Sequence, residues 1–122
     1  MIVLLVIKPG PLRDGLDALL YAMPEVKLVV QANDADASLD FCRQGTTDLV
    51  ILEVRPGERD LVAKVPDMVA LCPQVKVIAL IHDEEDREPA ETAGVDSVLS
   101  VGMRVAKLRE VIMETVYSDT GE

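Results

Sequence analysis

The sequence predicts a doubly wound α/β domain: a five-stranded parallel sheet in the order 2-1-3-4-5, sandwiched between helices. Three observations point there. Ile2–Ile7, Leu49–Leu52 and Val75–Ile81 are short apolar runs, with the length and aliphatic content of parallel strands covered on both faces. Segments with apolar residues at helical spacing alternate with them. The core must also be aliphatic, since 49% of the chain is apolar but only 2% aromatic, as suits helices packed on a parallel sheet. At 122 residues the chain makes one domain.

Each element follows in order. Ile2–Ile7 is the first strand, stopped by Pro9, Gly10 and Pro11. Leu12, Leu16, Leu19, Leu20 and Met23 give the first helix its apolar face, and Pro24 closes it. Val26–Val30 reads as the second strand, and Asn33 or Asp34 as the N-cap of a helix through Leu39 and Cys42 that ends near Gly45. The third strand, Leu49–Leu52, delivers Glu53 to its C-terminal tip. A helix from about Arg59 to Leu71 contains Pro66 and should be kinked or split there. Val75–Ile81 and Ser97–Val101 complete the sheet. Val105, Leu108, Ile112 and Val116 mark the apolar face of the last helix. Residues 1–117 form the domain, with Ser118–Glu122 a disordered tail or the start of a linker.

One stretch breaks the pattern. Asp83–Glu91 carries six acids and one base, and its apolar anchors are reduced to Ala90, Ala93 and Pro89. It reads as an exposed acidic loop before a short helix starting near Glu88, either a solvated face or an acidic docking surface.

Charge limits the partners. Twelve basic residues against 22 acidic ones leave −10, which opposes contact with nucleic-acid phosphates or anionic membranes. Met1–Ile7 is too short to span a bilayer, so a soluble cytoplasmic domain is expected. Cys42 and Cys72, in helices and far from any CxxC or Cys/His cluster, read as free, half-buried thiols. No metal or cofactor is expected.

In a 2-1-3-4-5 sheet, ligands sit at the C-terminal edge between strands 1 and 3. Lys8 and Glu53 end those strands, with Arg55 two residues further. The single histidine, His82, follows strand 4 and reads as a solvated loop residue. The turn after strand 1, Lys8-Pro-Gly-Pro11, has too few backbone donors for a phosphate loop, which disfavours a flavodoxin-like enzyme.

Val3 to Leu20, Asp48-Leu-Val-Ile-Leu52, Val75-Lys-Val-Ile-Ala-Leu80 and Ala93-Gly-Val-Asp-Ser97 together resemble the receiver domains of two-component response regulators. The likeness is to receivers that precede a helix-turn-helix output domain. It implies a protein partner or linked output domain, and pairing into homodimers. It also aligns Glu53 with the phosphoacceptor aspartate, and Ile7 and Lys8 with the acidic pair that binds Mg²⁺. Ile81 falls at the Ser/Thr that contacts the phosphoryl group, Val101 at the conserved lysine, and Gly102 at the proline after it. Val98 or Leu99 stands where an aromatic relays the switch. Mg²⁺ needs hard oxygen ligands, and phosphoryl transfer needs the cation and positioned donors. None of these residues supplies them. The resemblance thus implies a degenerate, non-enzymatic pseudo-receiver. In it Lys8 and Glu53 either mimic an activated state or form a structural ion pair, and a small molecule sensed in the crevice is the alternative.

Overall fold

The computed structural model describes residues 1–57 and 59–117, so the expected tail, Ser118–Glu122, lies outside the described residues. The strands are β1 (Ile2–Val6), β2 (Leu28–Ala32), β3 (Leu49–Val54), β4 (Lys76–Ile81) and β5 (Ser97–Ser100). All pair in parallel, in the order β2-β1-β3-β4-β5. The helices are α1 (Pro11–Tyr21), α2 (Ala35–Cys42), α3 (Asp60–Ala63), α4 (Val65–Leu71), α5 (Arg87–Ala93) and α6 (Val105–Val116), with a 3₁₀ turn at Glu84–Asp86.

The two-residue period of the strands divides the core. Leu4, Val6, Val50, Leu52, Val54, Val77, Ala79 and Ile81 face one side and pack with residues of α2, α3, α4 and α5. Val3, Leu5, Ile7, Leu49, Ile51, Ile78 and Leu80 face the other, against α1 and α6. The fold class is therefore the expected one, and four local readings are corrected.

Val26 is not a strand residue: its N–H donates to Met23 O in the turn that closes α1. β2 begins two residues later and runs through Gln31, whose exposure an edge strand tolerates. The helix after β3 is indeed broken, but at Lys64, so that Pro66 falls in the first turn of α4, where its missing N–H costs nothing. On α6 the inward arc is Leu108, Val111, Ile112 and Thr115, while Val105 is 65% exposed. Cys42 and Cys72 are free, and fully rather than half buried. Asp34 is the N-cap of α2, accepting from Ala37 N at 2.8 Å.

The acidic stretch also differs from expectation. α5 starts at Arg87, near Glu88 as expected, but the residues before it form the 3₁₀ turn and Asp86 is buried at 2% exposure. Its carboxylate accepts from Arg59 Nε at 3.1 Å. Asp83 caps the 3₁₀ turn through Glu85 N at 3.0 Å, and Glu84 accepts from Arg87 Nε at 2.8 Å and from Ser100 Oγ at 2.9 Å. Arg59, just before α3, and Ser100 of β5 fasten the run to the rest of the fold, while the run's own Arg87 pairs within it.

Candidate functional site

The C-terminal edge of the sheet forms an open crevice of about 800 Å³. Val6 of β1 and Lys8 just after it line the crevice, with Asn33 to Asp36 from the start of α2, Glu53 of β3 and Arg55 just past it, and Asp60, Leu61, Ala63 and Lys64 from around α3. Arg13 braces the edge from α1, its Nη1 donating to Asn33 Oδ1 at 3.1 Å. Lys8, Glu53 and Arg55 are thus brought together, at the position that the strand order assigned to them.

Glu53 lies inside β3, one residue before its end, and its side chain is only 5% exposed. Its Oε2 is 2.7 Å from His82 Nε2 and 3.6 Å from Arg55 Nη2. Strand parity explains the histidine. Glu53 pairs in register with Leu80, and side chains two apart on a strand share a face. His82, two residues past Leu80, therefore reaches back over the same face to the carboxylate. The imidazole is 35% exposed. A buried carboxylate needs such donors, because desolvation without them is expensive. His82, expected as a solvated loop residue, is part of the site.

The other aligned positions have joined the core. Ile7 packs into the cluster beneath α1 and α6, and Ile81 into the opposite cluster. Val101 is half-buried against the α1 and α6 side, its N–H donating to Ile81 O at 2.9 Å. Among the described residues, no group of three or more His, Cys, Asp or Glu side chains is placed to hold a metal ion. No helix among them is long and apolar enough to cross a membrane.

No family model matches the chain, and no curated protein matches it at a significant level. Solved structures do. A LuxR family DNA-binding response regulator from Silicibacter pomeroyi superposes with a TM-score of 0.81 at 21% identity, over 97% of this chain and 93% of that one. A LuxR family two-component response regulator from Aurantimonas also gives 0.81, at 18% identity, over 96% and 85%. A response regulator protein from Burkholderia pseudomallei, solved with a phosphorylated aspartic acid, a calcium ion and citrate, gives 0.72 at 17% identity, over 98% and 68%. These likenesses establish the architecture: the chain has the fold of response-regulator receiver domains.

Proposed function

We propose that this domain is a receiver-type signalling module that works without phosphoryl transfer, by contact with a protein partner or a linked output domain. The observation that carries the reading is the state of Glu53. Its carboxylate, at the phosphoacceptor position, is buried and engaged by His82 at 2.7 Å and Arg55 at 3.6 Å. The Burkholderia neighbour holds a phosphorylated aspartic acid and a calcium ion. Here the aligned metal positions are Ile7, 2% exposed, and Lys8. An aliphatic side chain offers a cation no ligand, and an ammonium repels it. Ile81, 1% exposed, has no hydroxyl to follow a phosphoryl group, and Val98 and Leu99 give β5 no aromatic to relay its movement. Such a domain is no enzyme. A cytoplasmic location, without membrane or nucleic-acid contact by the domain itself, fits its acidic charge.

Incubation with acetyl phosphate, or with beryllofluoride, in the presence of Mg²⁺ tests this. Mass, thermal midpoint and amide shifts are expected to stay unchanged. A Mg²⁺-dependent adduct or shift centred on Glu53 would overturn the reading. A second reading, small-molecule sensing, draws on the size of the crevice and on its mixed lining of Lys8, Arg55 and Lys64 with Asp60 and Glu53. Its mark would be a ligand whose shifts fall on these residues with no phosphate donor present.

A further inference from the structure

An open groove of about 560 Å³ lies between the α3–α4 side of the domain and α5. Buried Val62 forms its floor, with Ala63 and Pro66 on one wall and Pro89, Thr92 and Ala93 on the other. These side chains are short or rigid, so none can fold over and close the groove. Covering alanine and proline also costs no rotamer freedom. Val69, one turn past Pro66 on α4, is 37% exposed and carries the apolar surface further along that helix. The rim is acidic. Glu88 lines the groove, Asp67 follows Pro66 and Glu91 precedes Thr92, all three exposed. Among the described residues, Asp67 and Glu88 enter no ion pair. The cations nearby are engaged elsewhere. Arg59 holds Asp86 at 3.1 Å and Arg87 holds Glu84 at 2.8 Å, while Lys64 lines the crevice at the sheet edge.

We propose that this groove docks a helical segment of a partner protein, one that carries a single row of apolar residues flanked by lysines or arginines. Charge selects the partner. The chain carries −10, and a second copy laid on the same face would set Glu88 and Glu91 against their own kind. Cationic flanks supply the counter-charge that this face lacks. The walls select the form. Both are helices, whose backbone groups bond internally, so they offer no sheet edge to an extended strand. A helix keeps its own backbone satisfied and lays side chains at i, i+3 or i+4, and i+7 into such a groove. The inference rests on the reading of the domain as a protein-contact module and gives it a face and a partner chemistry. A Mg²⁺-dependent adduct at Glu53 would remove that reading and leave the groove's binding unaltered, so the two fail separately.

Titration of the whole chain with a designed amphipathic peptide tests it, using about 18 residues with a leucine row and lysine flanks, long enough to become helical when bound. Amide shifts are expected on Val62 to Val69 and on Glu88 to Ala93. The same peptide with glutamate in place of lysine should not bind. Thr92→Arg and Glu88→Lys, both at exposed positions, should each weaken binding by about tenfold, because they set like charge against the peptide's flanks. Glu114→Lys makes the same change of charge on the exposed side of α6 and should leave binding as it was. Equal weakening by Glu114→Lys and Glu88→Lys would reduce the contact to non-specific attraction and overturn the proposal. So would shifts centred on α1 and α6, equal binding of the glutamate peptide, or no binding of the lysine peptide. Self-association of the chain that Thr92→Arg abolishes would also overturn it, by making a second copy the occupant.

Discussion

Glu53 and Asp86 are two buried carboxylates that solve the same problem differently. Their side chains are 5% and 3% exposed, and each is met by a more exposed cationic or imidazole group. Glu53 sits within a central strand, and its main partner stands just past the end of the neighbouring strand, at a position that parity dictates. It has a second partner, Arg55. Asp86 sits in a 3₁₀ turn, and among the described residues its ion pair is with Arg59, 27 residues earlier. The sheet edge therefore carries a shared charge, and the turn a singly held one. Removing a partner should cost more at the turn, where no second cation among the described residues shares the burial penalty.

The largest effect expected is from Arg59→Ala, which strands Asp86 without its cation. A loss of about 2–3 kcal/mol is anticipated, toward the lower limit for breaking a buried pair because Arg59 is itself half exposed. Urea unfolding measures it. His82→Ala leaves Glu53 with Arg55, and a loss of about 1 kcal/mol is expected, that of a single hydrogen bond. If the two substitutions cost the same, the contrast between shared and single partners is wrong. Combining His82→Ala with Glu53→Gln sharpens the point, because the losses of two groups in direct contact should not add.

The smallest effect belongs to Glu84, at the surface. The hydrogen bond from Arg87 first, and that from Ser100 second, hold its carboxyl below the usual carboxylate range. A lowered folded-state pKa means that the stabilisation is fully present above the unfolded value, near ~4.3. It is lost as pH falls through the folded value. Wild type and Glu84→Gln should thus differ at neutral pH and converge in acid. A gap that persists to the lowest pH would show that Glu84 acts through packing instead.

Much of this architecture was legible in the residues. Unbroken aliphatic runs identify central strands because both faces are covered, and Pro66 marked the broken helix because it lacks an N–H. β2 was misplaced because Val26 is apolar for a different reason: it packs against the core from the turn after α1. At the site, strand order placed Lys8, Glu53 and Arg55 in one crevice. His82 was missed although parity could have found it, since pairing Glu53 with Leu80 puts the residue two further on over the same face. Asp86 gave no such signal. In sequence it is one acid among six, and only the fold brings Arg59 to it.

The two buried thiols turn the core into a clock. The chain has no tryptophan, and its two tyrosines, Tyr21 and Tyr117, are exposed, so intrinsic fluorescence reports little of the interior. Cys42 ends α2, and Cys72 follows α4, where its Sγ donates to Thr47 O at 3.2 Å. Burial pushes both thiols above their ordinary range, and only the thiolate reacts readily. A disulfide reagent must therefore wait for the layer of α2 and α4 to open. Its labelling rate reads the free energy of that opening in the native domain, without denaturant and without an introduced residue.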